Sequence, residues 1–204
     1  MRSTPSYSNQ RVGIFVDVQN LYHSAKNLYH GRVNYVELLK HLTGDRQLIR
    51  AMAYVVKSEG IEPQRSPDRT DRAARTFREK ASDRAANNAG NGDLSSEAAF
   101  FEALEKAGLE LRMKDLQIYA GGMKKADWDV GMAVDAIRMS SFLDVIILVT
   151  GDGDFCPLID YLKWGAGRVV EVAAFHRSAS AKIQEAADKF VNIEDIPRAV
   201  MKLR

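Results

Sequence analysis

The residues best suited to chemistry are aspartates that stand where apolar runs stop. Asp17 follows Val12-Gly-Ile-Phe-Val16, and Asp152 and Asp154 lie in Gly151-Asp-Gly-Asp-Phe155, directly after Asp144-Val-Ile-Ile-Leu-Val-Thr150. Both runs are nearly continuous and rich in β-branched residues, the pattern of strands buried on both faces of a parallel sheet. In open α/β sheets ligands bind beyond the carboxyl ends of the strands, where these acids fall. If the two strands are parallel neighbours, their carboxylates point into one crevice. Asn20 follows Asp17 by one helical turn, and its amide could orient a water or a phosphate there. The competing reading is that Asn20, Asp152 or Asp154 only caps the helix that follows it.

Two further acids, Asp129 and Asp135, fall on a helix expected over residues 127–142 with Asp127 as its cap. That segment is apolar almost all round (Val130, Met132, Ala133, Val134, Ala136, Ile137), which predicts deep burial and hence partners for both acids. Six residues turn a helix by about 600°, so the two point about 120° apart. Asp129, near the helix start, is the better ligand, while Asp135 serves through a water or accepts hydrogen bonds. The metal-holding set is then Asp17, Asp129, Asp152 and Asp154, with Asp135 near it. Carboxylates without histidine or cysteine companions select hard cations, Mg²⁺ or Mn²⁺ over zinc. Such a cluster suits phosphoryl chemistry, in which a metal activates water and offsets charge on a phosphate. No serine–histidine or cysteine–histidine arrangement competes with it.

Strands alternating with helices must position these groups. After a polar tail at residues 1–10, the first strand and its helix (Leu21, Tyr22, Ala25) lead to an amphipathic helix at Tyr35–Leu42 and a second strand at Leu48–Val56. A charge-balanced stretch over about 57–95, poor in large apolar residues, reads as a mobile insertion. Within it Arg65, Arg69, Arg72, Arg75 and Arg78 recur at helical spacing, as a solvated face or a nucleic-acid-contacting arm. A helix at Glu97–Ala107 follows, then strands near Leu109–Met113 and Gln117–Tyr119. After the central strand comes another, Arg168–Phe175, with Ser178 as the expected cap of the next helix. A last helix primed by Asp195 and Pro197 closes the chain. This order predicts an α/β three-layer sandwich with a mainly parallel central sheet, one domain over 11–204. Arg177 and Lys182 lie where a phosphate backbone could pass the crevice; His176 is a weaker candidate.

With 204 residues, 46% of them hydrophobic, the chain can build a full core, and a formal charge of +2 gives no strong global field. A nucleic-acid partner would be held by local patches. The single cysteine, Cys156, excludes an internal disulfide and reads as a small core residue rather than a nucleophile. No apolar run reaches membrane-spanning length and none resembles a signal peptide, so a cytoplasmic location with no membrane partner is expected. A glycine-rich dinucleotide turn is missing after the first strand, and the Walker pattern is absent. An aspartyl phosphatase would want an acid at position 19, which is Gln19. The Gly151-Asp-Gly153 triplet lacks the asparagine that a thiamine-diphosphate motif places a helix and strand later.

VGIFVDVQNLY, KKADWDVGMAVDAI and VILVTGDGDFCPLI, in that order, resemble the NYN domain of the PIN-like nuclease superfamily. The resemblance spans about residues 11–195 outside the insertion. It implies a PIN-like (Rossmannoid) sheet and metal-dependent ribonuclease activity on RNA, with Mg²⁺ or Mn²⁺ as cofactor. By motif Asp17 matches the first-strand acid, Asn20 the family asparagine and Asp129 the acid opening the middle helix. Asp152 and Asp154 match the acids after the later strand, and Lys125 a family lysine that contacts phosphates. The Gly-Asp-Gly-Asp-Phe form is shared with the LabA-like bacterial subgroup, which is linked to regulation of gene expression. The alternative is a regulatory module, alone or as a homo-oligomer, that holds RNA or a protein in the same crevice without cutting it.

Overall fold

β7 (Val145–Val149) is buried at all five positions, and its side chains divide between two cores. Val145, Ile147 and Val149 enter one; Ile146 and Leu148 enter the other. This two-residue period is what a strand covered on both faces requires. The computed structural model describes residues 8–57, 87–115, 117–118, 124–125 and 128–202. The tail expected at 1–10 and the insertion expected at 57–95, with its arginine series, lie largely outside these residues.

Chain order is β1 (Arg11–Asp17), α1 (Val18–Tyr29), β2 (Gly31–Val33), α2 (Tyr35–Thr43) and β3 (Gln47–Lys57). There follow α3 (Asn87–Lys106), β4 (Glu110–Asp115), β5 (Gln117–Ile118), β6 (Lys124–Lys125) and α4 (Asp129–Met139). After β7 come α5 (Cys156–Asp160), β8 (Val169–Ala174), α6 (Ala181–Ala186), β9 (Lys189–Asn192) and β10 (Val200–Lys202). The central sheet has six strands in the order β4-β3-β1-β7-β8-β9, and every pair is parallel. The expected three-layer α/β sandwich is therefore present. From β1 the chain winds outward through β3 and β4, then returns to β7 and winds the other way. The order reverses between β1 and β7, which makes their carboxyl ends the switch point where such sheets open a crevice.

One face of the sheet packs on α1 and α2, with Leu21, Ala25, Leu38 and Leu42 joining Val12, Ile14 and Val16. The other packs on α4, α5 and α6 through Met132, Ala136, Leu158, Ile159 and Ile183. At the opposite end from the switch point Asp144 takes the Arg11 amide at 2.8 Å and its guanidinium at 2.8 and 3.0 Å. The Asp144 amide returns a bond to the Arg11 carbonyl, so the two central strands are held in register from below.

Several elements differ from the sequence reading. The closing helix is instead one 3₁₀ turn, Ile193–Asp195, followed by β10, which pairs antiparallel with the short β2. Asn192 caps that turn and Arg198 takes a left-handed backbone (φ 63°), so a helix cannot continue. Ser180, not Ser178, caps α6 by accepting from the Ile183 amide; the Ser178 hydroxyl bonds Ser24 and the Phe175 carbonyl. α3 reaches back to Asn87, into the span read as insertion. α4 begins at Asp129, with Trp128 at the cap position and no side-chain cap bond; Asp127 is outside the described residues. Nor is α4 deeply buried. A helix in an outer layer covers one stripe, here Met132, Ala136 and Met139, and leaves Val130 (74% exposed), Val134 and Ile137 on the surface.

Candidate active site

Asp17 is the last residue of β1 and the N-cap of α1. One carboxylate oxygen accepts the Asn20 amide at 3.0 Å; the other accepts the Thr150 hydroxyl at 3.2 Å from the end of β7. Burial pushes its pKa up and the charge of Asp152 adds to this, while the Asn20 and Thr150 bonds pull it back. Thr150 is fully buried and also accepts the Asp152 amide at 3.3 Å. Asn20 reaches across the switch point, its side-chain oxygen accepting the Gly151 amide at 3.0 Å. That bond leaves the NH₂ end of the amide as the group available to a ligand. Asn20 thus bridges two loops rather than capping a helix.

Asp152 accepts the Asp154 amide at 2.9 Å and caps the 3₁₀ turn Gly153–Phe155. The loop is fixed by its neighbour: Ser180 donates its amide to the Gly151 carbonyl. A Cβ at Gly151 would lie 3.0 Å from Ala179 Cα, so a larger residue would push the two loops apart. Asp129, half-buried in the first turn of α4, faces these residues across a cleft of about 220 Å³. Asp17, Asn20, Asp129 and Asp152 line it together with Gln19, His23, Tyr54 and Trp128. Three of the expected acids therefore converge from three separate segments.

The other candidates stand elsewhere. Asp154 is exposed and does not line the cleft. Asp135 accepts the Tyr54 hydroxyl at 3.1 Å and lies 3.5 Å from the Arg112 guanidinium, in a second hollow that shares Trp128 with the first. Burial and the Asp135 charge push the Tyr54 hydroxyl upward, so it remains a donor. Arg177 is exposed on the β8–α6 connection that packs on Gly151, Lys182 is exposed in the first turn of α6, and neither lines the cleft. His176 is exposed, its ring nearly perpendicular to that of Phe190. The Lys125 side chain is outside the described residues. The Cys156 thiol is pushed up by burial first and by Asp160 next, which keeps it protonated and inert. Among the described residues no three acid, histidine or cysteine side chains form a ready-made metal cage.

Sequence reasoning missed Thr150, His23, Tyr54 and Trp128. Two had a signal. Thr150 ends its strand just as Asp17 does, and His23 lies one helical turn after Asn20 on the same face of α1. Tyr54 and Trp128 depend on how β3 meets α4, which no local pattern encodes.

The fold is a parallel α/β sheet with three acids beside its switch point, the architecture of an NYN/PIN-like domain. Residues 11–194 match the NYN domain family, and the chain belongs to that family, whose members are nuclease-like and typically use divalent metals. Among solved structures it is similar to a protein of unknown function from Vibrio parahaemolyticus, at 26% identity and a TM-score of 0.72, covering 97% of this chain and 100% of that one. No match was found among curated proteins. Among the described residues no helix is long and apolar enough to cross a membrane.

Proposed function

We propose that the protein is a Mg²⁺- or Mn²⁺-dependent endoribonuclease that hydrolyses RNA phosphodiester bonds in the cleft at the β1–β7 switch point. The observation that supports it is the convergence of Asp17, Asp129 and Asp152 on one cleft from the ends of two adjacent parallel strands and the start of α4. The donor set suits a hard cation: three carboxylates line the cleft with the side-chain amides of Gln19 and Asn20, His23 is the one nitrogen base beside them, and Asp17 is held up by burial and by Asp152, a penalty that a cation relieves. Mg²⁺ commonly takes one or two protein carboxylates and completes its shell with water and substrate phosphate. An open group of acids therefore suits it better than a closed cage. When bound, the cation would lower the pKa of water beside the phosphate and offset the charge that develops there.

The chain's own residues supply the rest. Asn20, with its oxygen tied to Gly151, offers its NH₂ to a phosphate oxygen or a water. Thr150 and the Asn20 amide fix the Asp17 carboxylate in one orientation. Trp128 and Tyr54 wall the cleft on the α4 side, and the Arg177 charge on the β8–α6 connection and the Lys182 charge in the first turn of α6 are ones that a strand leaving the cleft can pass.

A second reading, a module that holds RNA in this cleft without cutting it, is favoured by one observation: Asp17 and Asp152 already accept hydrogen bonds from the protein. Cleavage of a mixed RNA pool by purified protein, in Mn²⁺ or in EDTA, separates the two. Metal-stimulated cleavage by the parent, lost in Asp129→Asn, is expected. Retained RNA binding with no cleavage under any metal would replace the enzyme by the module.

A further inference from the structure

Beside the acidic cleft lies a shallow, open hollow of about 350 Å³. It runs along the outer face of α4 toward β4, and its character is the reverse of its neighbour's. The cleft is lined by three carboxylates and no lysine or arginine. The hollow is lined by Arg112, Arg138 and a single acid, Asp135, with Val130 and Val134 between them. Asp135 is engaged by Arg112 and by the Tyr54 hydroxyl, and Tyr54 also lines the cleft. The wall common to both is Trp128.

That indole is held rigidly. Its N–H donates to the Val55 carbonyl at 2.8 Å, and its ring meets Tyr54 edge-on with centroids 5.5 Å apart. A Cβ at Gly131 would fall 2.5 Å from Trp128 Cε3, so the ring lies against bare helix backbone. Lys114 Nζ lies over the ring, 5.9 Å from its centroid, a place that a stacking base would take by moving this flexible side chain aside. A fixed aromatic wall, a short apolar floor and flanking cations are the parts from which single-strand sites are built: bases stack, and the backbone follows the charge. A protein partner would use the exposed valines but would gain little from this concentration of cations around an aromatic wall. A polyanion carrying flat apolar bases uses all of it.

We propose that this hollow is a nucleotide subsite, which seats the nucleotide next to the one whose phosphate enters the acidic cleft and makes unpaired RNA the substrate. The inference rests on the RNA reading of the cleft. The base lies over Trp128 and Val134, and Arg138 and Arg112 take the phosphate that follows. Asp135 then acts as a positioning residue that aims Arg112. A paired base cannot reach the wall without leaving its duplex, so the subsite selects single strands or loops.

The test uses the full chain, fluorescein-labelled oligouridylate and anisotropy in EDTA, so that binding is read without cleavage. Val134→Glu places a carboxylate in the hollow at an exposed position, and Arg138→Gln removes one cation. Val134→Glu should weaken binding tenfold or more. Arg138→Gln should weaken it about three- to tenfold and lower the salt slope by about 0.7, one phosphate contact on a single strand. Both should melt with the parent, and in Mn²⁺ both should raise KM while leaving kcat unchanged. A duplex of the same length should bind at least tenfold more weakly to the parent and be insensitive to Val134→Glu. Should Val134→Glu fail to fold, Arg138→Gln alone carries the comparison. Unchanged affinity and KM in folded variants would overturn the subsite while leaving the ribonuclease reading intact. Loss of affinity in both variants, with no cleavage by the parent in any metal, would keep the subsite and discard the enzyme. A parent that binds no oligonucleotide, or a Val134→Glu effect confined to self-association in sedimentation, would overturn the subsite in favour of a contact between copies.

Discussion

Thr150 donates its hydroxyl proton to Asp17 across 3.2 Å, joining the carboxyl end of β7 to that of β1 at the place where the sheet order reverses. The same hydroxyl oxygen accepts the Asp152 amide, so one buried side chain sets the position of two cleft acids. Thr150→Val keeps shape and removes both bonds. Leaving a buried acceptor and donor short of partners costs about 1–3 kcal/mol. We expect that loss in urea unfolding, together with a further upward move of the Asp17 pKa, whereas Thr150→Ser should retain most of the parent's stability. A valine variant as stable as the parent would show that the bond does not hold the site.

Metal should act on stability as well as on cleavage. Burial first, and the charge of Asp152 after it, raise the pKa of Asp17, and a cation bound only to the folded chain would offset both and stabilise it. At a hundred times its Kd the effect is about 2.7 kcal/mol. Mg²⁺ is expected to raise the melting temperature of the parent and to raise it less in Asp17→Asn, Asp129→Asn and Asp152→Asn. Asp154→Asn should respond nearly as the parent does, since Asp154 is exposed outside the cleft. An equal metal shift in all five proteins would refute a shared cation.

Much of this was legible in the sequence, because its signals were local. The β-branched runs ending at Asp17 and Asp152 gave two buried parallel strands, and their adjacency follows once the winding order is known. The acid opening α4 was equally plain. What local pattern could not carry was partnership. Asp135 was expected near the metal set, serving through a water or accepting hydrogen bonds; it accepts the Tyr54 hydroxyl, but that this donor comes from β3 and its cationic neighbour Arg112 from β4 is not encoded locally. The apolar circumference of α4 suggested burial, yet an outer layer can cover only the Met132–Met139 stripe. Asp195-Ile-Pro197 read as a helix start, but a left-handed residue at Arg198 turns the chain into a strand against β2. The pairing of β2 with β10 joins segments more than 150 residues apart, beyond any periodic signal.

Arg46 and Glu171 form a two-bond ion pair at 2.8 and 3.1 Å with side chains 6% and 5% exposed. Arg46 also donates to the Leu42 and Thr43 carbonyls, so it closes the end of α2 onto β8. Removing one partner strands a buried charge, which costs about 3–5 kcal/mol. Glu171→Ala should therefore lose about that much in denaturant unfolding. Arg46→Met/Glu171→Leu together should lose clearly less than the two single changes added. Simple additivity would mean that the pair is solvated in the folded protein.

The pair below the sheet should reveal itself through pH. The Arg11 guanidinium and amide hold the Asp144 carboxyl down from 3.8 to about 2. The folded pKa is thus the lower one, so folding favours the ionised form and the contribution to stability is present above about pH 4. It fades as pH falls toward 2 and is gone below that, where both states are protonated. The side chains are 44% and 34% exposed, so salt screens the interaction and the effect is modest. Asp144→Asn removes the charge while keeping an acceptor for the Arg11 amide. Its melting temperature should lie below the parent's by a constant amount from pH 7 to about 4, with the two curves meeting between pH 4 and 2. High salt should narrow the gap at neutral pH. A difference that persists unchanged to pH 2 would mean that Asp144 holds β1 and β7 together through its shape and hydrogen bonds, with no part played by its charge.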